Sequence, residues 1–288
     1  MKKKLLIVAA IAFASTSFAQ DLTSKKGETM LPEAEDWSIG FDAAPWLTYA
    51  GQFLGASNTS PTAQFTTPDF SITGKYFVDA NTAYRARVRI GMGSGSATSL
   101  VDTSLASQGG TGYQQYQGSY IENVSKTSYR QVTLGGGIEK RRGNTRVQGV
   151  YGGELLISMG GSKSSNEYEV AMDSVSVKYT DGSGTGAVEQ GRVLENKNGS
   201  TFGVTVRGFI GVEIFVFPKV SIGAEYGWGL GFSTTGENEV TSEYIGPATS
   251  TATANTTNTI TTITTQKSSG FGIDTDNSGG QLNINFYF

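Results

Sequence analysis

The chain has neither cysteine nor histidine among its 288 residues. The lack of cysteine excludes a disulfide framework, a thiolate metal site and a lipid anchor on cysteine. The lack of histidine removes the side chain that most often acts as a general base in catalysis. From these absences the sequence predicts no catalytic residue, no metal site and no cofactor.

Long apolar runs are also scarce. The run from Leu5 to Phe13 follows the basic cap Lys2-Lys3-Lys4 and is too short for a membrane helix, which needs about 20 apolar residues. The small residues before Gln20 predict a signal peptide over residues 1–19, cleaved before Gln20. A helical membrane protein is excluded. A nucleic-acid partner is excluded as well, because the net charge is -3 and no basic block occurs.

What the chain does contain is typical of β-structure. It has 39 Gly, 15 Phe and 13 Tyr with abundant Thr and Ser. The last eight residues alternate strictly, because Leu282, Ile284, Phe286 and Phe288 are separated by Gln281, Asn283, Asn285 and Tyr287. Since strand side chains point to opposite faces with period two, one face of this strand is apolar and the other mostly polar.

Seven further alternating segments precede this strand, so the sequence predicts eight strands. Their approximate ranges are 37–49, 70–78, 84–93, 129–140, 147–159, 202–216, 220–232 and 281–288. Tight turns follow strands two, four and six, at Asp79-Ala80-Asn81-Thr82, Arg141-Arg142-Gly143-Asn144 and Phe217-Pro218-Lys219. Long loops follow strands one, three, five and seven, over 50–69, 94–128, 160–201 and 233–280. Residues 20–36 are predicted to be a polar lead-in with little fixed structure, and 37–288 a single β-domain.

The final strand resembles the C-terminal assembly signal of bacterial outer-membrane β-barrels, which the matching positions Gln281, Phe286 and Phe288 carry; Asn283 stands where that family usually has Gly. With eight strands and loops of unequal length, residues 37–288 resemble the OmpX-like barrels and the transmembrane domain of OmpA-like proteins. The resemblance implies an all-β, eight-stranded antiparallel up-and-down transmembrane barrel in the outer membrane, with periplasmic turns and extracellular loops. Barrel enzymes of this membrane that act as proteases, phospholipases, deacylases or palmitoyltransferases rely on a histidine base that this chain lacks.

The polar faces of the predicted strands collect charges of both signs. A small soluble barrel could not pack them in an apolar core, whereas interleaved opposite charges can form a network inside a lipid-facing barrel. The predicted lumenal network is Asp42, Lys75, Arg85, Arg87, Arg89, Glu139, Arg146, Glu154, Arg207, Glu213 and Glu225. Because side chains just fill an eight-stranded barrel, a wide diffusion pore is not expected.

These patterns predict a non-enzymatic barrel with a structural or interaction role through its surface loops, alone or as an accessory subunit of an envelope complex. The alternative is a narrow ion or solute channel through the charged lumen. The expected partners are outer-membrane lipid and lipopolysaccharide, the barrel-assembly machinery during biogenesis, and a protein or surface bound by the loops.

Three weaker patterns have alternative readings. Asp274 to Gly279 copies half of a calcium loop, but the twelfth position is Asn285 within a strand, so a turn is the preferred interpretation. Residues 167–195 predict a hairpin projecting beyond the membrane, whose edge could pair with a partner strand, or a simple continuation of the strands. Thr249 to Gln266 is Thr-rich and is predicted to be mobile. Its role is either attachment of sugar, contact with a surface, or simply connection of the neighbouring segments.

Overall fold

The computed structural model describes residues 23–24, 26–43, 71–102, 120–169, 192–245, 257–275 and 281–288. The predicted signal peptide, the whole loop over 50–69 and the tip of the hairpin over 167–195 lie outside these residues. The described chain is all-β. Its strands are β1 (Trp37–Asp42), β2 (Ile72–Asp79), β3 (Thr82–Asp102), β4 (Tyr120–Arg142), β5 (Val147–Tyr168), β6 (Arg192–Lys197), β7 (Thr201–Phe217), β8 (Val220–Thr235), β9 (Asn238–Ile245), β10 (Thr257–Thr265), β11 (Ser268–Thr275) and β12 (Gln281–Tyr287).

Eight of these strands form a closed antiparallel ring. β1 pairs with β2, β2 with β3, β3 with β4, and β4 with β5. From there β5 pairs with β7, β7 with β8 and β8 with β12, and β12 pairs with β1 to close the ring. The predicted all-β, antiparallel class is confirmed. No helix in the described part of the chain is long and apolar enough to cross a membrane.

The strands of the ring are steeply tilted. Following the paired residues around the ring from Phe286 of β12 leads through Ile39, Gly74, Ala86, Gly136, Leu155, Val206 and Leu230 to Ile273 of β11. A circuit that starts at residue 286 therefore returns at residue 273, so the pairing is displaced along the chain after one turn of the ring. A closed sheet needs such a stagger, which corresponds to strands inclined by about 35–45°.

Side chains alternate between the two faces of the ring as the sequence predicts. On β2 the polar or aromatic Thr73, Lys75 and Phe77 are buried, whereas Gly74 and Tyr76 between them are half-buried and the flanking Ile72 and Val78 are exposed. The same period holds along β8, where Ser221 and Glu225 are buried. We call the buried set inward and the exposed set outward. The exposed face is thus the apolar one, which reverses the arrangement of a water-soluble sheet.

Short turns join the strands at one end of the ring, and we call this the turn side. Residues 80–81 connect β2 to β3, residues 143–146 connect β4 to β5, and residues 218–219 connect β7 to β8. Gly143 has a φ of 137° and Lys219 a φ of 59°, and a glycine takes the first of these without steric cost. The predicted turn at 141–144 begins too early, because β4 continues through Arg142.

At the other end, much of the chain that was predicted to be loop is strand. β3 continues to Asp102, β4 begins at Tyr120 and β5 continues to Tyr168. The prediction failed here because the described side chains of these extensions are mostly exposed or half-buried, so the Ser-, Thr- and Gly-rich sequence shows no apolar alternation. Hydrogen bonding between neighbouring strands, rather than burial, carries the ladder onward.

A side sheet leaves the ring at this same end. β5 pairs with β7 up to Gly160 and then with β6 from Lys163 to Ser165, so the two neighbours of β5 diverge there. β6 pairs with β9, and β9 with β10. The prediction of a mobile segment over Thr249–Gln266 is wrong for Thr257–Thr265, which is a strand. The reason is that β-branched Thr and Ile favour extended structure even when their composition is monotonous.

The lead-in before β1 also departs from its prediction. The described residues of 23–36 form a turn with a Thr23–Thr29 bridge, and Glu35 donates its backbone N–H to the carbonyl of Phe77 at 2.8 Å. Asp36 forms an ion pair with Lys219. Met30 is 1% exposed and packs inside the turn side of the ring. The lead-in is thus folded, because Met30, the Glu35 backbone hydrogen bond and the Asp36 ion pair attach it to distant parts of the chain.

Candidate functional site

The interior of the ring collects the charged residues that the sequence placed on the polar faces. Arg89 is half-buried on the inward face of β3, and Arg146 lies half-buried in the turn between β4 and β5 rather than on a strand. The other predicted residues are buried with at most 6% exposure, namely Asp42, Lys75, Arg85, Arg87, Glu139, Glu154, Arg207, Glu213 and Glu225. They come from seven different strands, so only ring closure brings them together.

Glu225 lies among three guanidinium groups. Arg85 donates to its two oxygens at 2.6 and 3.0 Å, Arg87 at 3.1 Å and Arg207 at 2.7 Å. Glu154, on β5, contacts the same three arginines at 3.3, 3.1 and 2.7 Å. Two carboxylates therefore bridge three cations in a space closed to solvent, where such hydrogen bonds are strong and the loss of one partner is costly.

A second group of ion pairs lies closer to the turn side. Glu139 accepts from Lys75 at 2.8 Å and from Arg141 at 3.2 Å. Glu213 accepts from Arg141 at 2.5 Å, and also from the Tyr287 and Ser221 hydroxyls. Lys75 links the two carboxylates because its ammonium is also 3.4 Å from Glu213. Arg85, 3.5 Å from Glu139, connects this group to the first one.

Arg141 is the central cation that sequence reasoning missed. It was assigned to a turn, but it is the penultimate residue of β4 and is 4% exposed. Its guanidinium lies over the ring of Phe77 at 4.8 Å and near that of Tyr287 at 5.4 Å, and it donates to the Tyr287 hydroxyl at 2.6 Å. The sequence could have predicted its position, because Arg141 follows the inward-facing Glu139 by two residues and residues two apart on a strand share a face.

An apolar cluster closes the ring at the turn side. It consists of Met30, Leu31, Phe77, Ala83, Phe215 and Tyr287, and we call it the turn-side cluster. The Tyr287 ring lies 5.7 Å from that of Phe77 and 5.3 Å from that of Phe215, in tilted arrangements. The ion pairs and this cluster together fill the described interior from Arg87 to the turns.

This arrangement is suited to holding a shape rather than to chemistry. Glu139, Glu154, Glu213 and Glu225 are each bound to two or more cations, so none of the four is positioned as a free acid or base for hydrolysis of a glycan. Among the described residues, no cluster of acidic side chains has the arrangement of a metal site. Of the segment Asp274 to Gly279, which was interpreted as a turn, only the backbone of Asp274 and Thr275, at the end of β11, lies within the described residues.

The outward face of the ring is a continuous apolar surface. Neither β7 nor β8 carries a charged residue on this face. Its exposed large side chains include Trp37, Ile72, Val88, Ile90, Leu134, Ile138, Tyr151, Leu155, Ile157, Val206, Ile210, Val212, Ile222, Trp228, Leu230, Phe232 and Phe286. Monomeric soluble proteins rarely expose apolar patches of more than a few hundred Å², so a surface that encircles the molecule must contact something other than water.

The height of this apolar surface along the ring axis can be estimated on β4. Its outward face carries Arg130 and Lys140 with only uncharged residues between them, among them Leu134 and Ile138. At about 3.4 Å per residue and a tilt of about 40°, the rise from Arg130 to Lys140 is about 26 Å along the ring axis. That height agrees with the apolar band of about 25 Å on transmembrane barrels.

The three residues of the assembly-signal pattern lie on β12 and directly after it. Gln281 pairs with Glu225 across β8, and Phe286 points outward with 43% of its side chain exposed. Phe288 is 69% exposed and exchanges two 2.9 Å backbone hydrogen bonds with Trp37. The last strand is therefore the one that closes the ring onto the first.

Comparison of the chain with protein-family models, with curated proteins and with solved structures finds no match.

Proposed function

We propose that the chain is a transmembrane β-barrel of a bacterial outer membrane, with the outward face of the ring in contact with lipid. The observation that carries the proposal is the apolar outward face, charge-free over a height of about 26 Å, around a charged and buried interior. A soluble barrel would have the opposite polarity. The ring also has no free edge at the level of β1 and β12, as a strand structure in lipid requires.

The orientation follows from the unequal ends. The short turns and the folded lead-in face the periplasm, and the extended ends of β3, β4 and β5 with the side sheet of β6, β9 and β10 face the surroundings. Supporting this orientation, short turns are typical of the periplasmic end of such barrels and longer connections of the outer end.

The function we propose is non-enzymatic: the barrel anchors and displays a β-structured projection that contacts other molecules of the envelope or the surroundings. The packed interior supports this role over transport, since the ion pairs around Glu225 and the turn-side cluster place buried side chains from many strands inside the ring. Ordered strands beyond the apolar band also keep a contact surface in a fixed position, which lowers the entropic cost of binding.

Recordings in planar bilayers test display against conduction. The purified protein, folded as judged by a heat-dependent shift in gel mobility, is expected to leave the bilayer silent. The variant Met30→Ala trims only the turn-side cluster and is expected to stay silent as well, because the ion pairs around Glu225 remain in place. Discrete, ion-selective current steps from the unaltered protein that change on Arg87→Ala would refute the proposal and establish the narrow channel instead.

Crosslinking in intact cells tests the display role itself. Photoreactive residues at exposed outer positions such as Thr261 of β10 and Lys126 of β4 are expected to capture a specific partner. The matched control is a photoreactive residue at Arg142, on the same strand as Lys126 but at the turn side. Equal patterns from both ends would contradict a contact surface located on the projection.

A further inference from the structure

A groove lies on the outward face at the point where β6 leaves β5. Its volume is about 700 Å³, and its lining combines cations, hydroxyls and one apolar side chain: Met92, Gly93, Ser94, Ser128, Tyr129, Arg130, Gly161, Ser162, Lys163, Lys197, Asn198 and Ser200. We call it the rim groove. It begins beside Met92, the last large apolar residue of the outward face of β3 before the Ser-rich extension.

The strand registers explain why the cations meet there. Ser94, Ser128, Lys163 and Lys197 lie side by side in one row across β3, β4, β5 and β6. Arg130 occupies the neighbouring row, opposite Met92 and Gly161. Because Gly161 has no side chain, the Arg130 guanidinium can lie across β5, and its Nε is 3.9 Å from where a Cβ on Gly161 would be.

The charges of the rim groove are only partly compensated. Lys163 and Lys197 share Glu195, at 2.6 and 3.0 Å, and Lys197 is also 3.8 Å from Glu239. Hydrogen bonds from the two ammonium groups lower the pKa of Glu195, and the bond to Glu195 raises the pKa of Lys197, so Glu195 and Lys197 stay charged at neutral pH. Arg130 has no ion pair within the described chain, and no carboxylate lines the groove.

We propose that the rim groove binds the phosphate of a lipid headgroup in the leaflet that surrounds the outer end of the barrel. This inference rests on the proposed membrane insertion. Arg130 and the two lysines supply the charge, while Ser94, Ser128 and Ser200 supply hydroxyl donors for phosphate oxygens. The apolar side of the groove, at Met92, lies beside Arg130 at the outer boundary of the apolar band, which is where lipid acyl chains join their headgroups. A free phosphate would gain nothing from that second contact, which favours a lipid as the occupant.

Titration of the detergent-solubilised full chain with lipid A tests the proposal, with native mass spectrometry to count bound lipid. Phosphorylated lipid A is expected to bind and chemically dephosphorylated lipid A to bind far more weakly. Arg130→Gln is expected to weaken binding about tenfold, and R130Q/K197Q more, since each charge-assisted contact is lost from a partly exposed site. Arg142→Gln, exposed at the opposite end of the same strand, is expected to bind like the unaltered protein.

Three results would overturn the inference. Equal binding by R130Q/K197Q and the unaltered chain would show that the groove is not the site. An equal loss in R142Q would indicate general surface attraction instead. Full competition by millimolar inorganic phosphate would replace the lipid with a free anion. Because the titration is done in micelles, its failure is distinct from a failure to insert into membranes, which protease protection of the reconstituted protein reports.

Discussion

Replacing Glu225 with glutamine tests the interior network at its most connected point. The substitution keeps the size of the side chain but removes the charge that holds Arg85, Arg87 and Arg207. Glu154 would then remain in contact with three buried guanidinium groups that have each lost one carboxylate partner. Removing one partner from a buried ion pair costs about 3–5 kcal/mol, because the remaining charge stays desolvated. We expect Glu225→Gln to lower the free energy of unfolding by about that amount.

The assay is a urea titration of the protein refolded into lipid vesicles, followed by tryptophan fluorescence. The double variant E225Q/R87Q restores the charge balance and is expected to be more stable than E225Q alone. The surface control is Glu167→Gln, which breaks an exposed pair with Lys126 and is expected to cost less than about 1 kcal/mol. A cost for E225Q as small as that of E167Q would refute the network as a source of stability.

Three further predictions concern the backbone, the outward face and the lead-in. Gly137→Ala is expected to abolish the heat-modifiable folded band, because its Cβ would lie 2.3 Å from the carbonyl oxygen of Gly153, whereas Gly136→Ala meets nothing within 4 Å and is expected to fold normally. Leu134→Arg places a charge in the middle of the apolar band and is expected to cost about 2–4 kcal/mol in vesicle unfolding, while Thr98→Arg beyond the band is expected to cost under about 1 kcal/mol. Met30→Asp is expected to release the lead-in, so that trypsin cleaves after Lys26 faster while the ring stays folded.

Each of these three predictions has a result that would contradict it. Equal folding of the two glycine variants would mean that β4 and β5 are not as close as the register requires. Equal costs for the two arginine variants would argue against lipid at Leu134. Unchanged cleavage after Lys26 would mean that Met30 does not hold the lead-in in the ring.

The ring strands were predictable because burial imposes a period of two on the sequence. Where one face is apolar and the other packs against ion pairs, residues such as Val206 and Arg207 alternate sharply and fix the phase of the strand. Beyond the apolar band, burial no longer imposes this alternation. The extension of β3 past Gly93 therefore has no pattern to detect, although its partner strand continues beside it.

The interior could be predicted as a set of residues but not as a set of pairs. Parity assigns Arg85 and Glu225 to the inside, yet their 2.6 Å contact joins strands β3 and β8, which only ring closure brings together. Arg141 was missed because a second arginine and a glycine follow it and suggest a turn. Met30 gave no local signal, since its partners Phe77 and Phe215 are far away in the sequence.

The most direct test of the account uses the absence of cysteine from the chain. Single cysteines at Val132, Thr133 and Leu134 of β4, and at Val204, Thr205 and Val206 of β7, can each carry a nitroxide label in the reconstituted protein. We expect collisions with oxygen, which is concentrated in lipid, to be high at 132, 134, 204 and 206 and low at 133 and 205. The absence of alternation, or high access of a water-soluble nickel complex at the even positions, would contradict a lipid-facing ring.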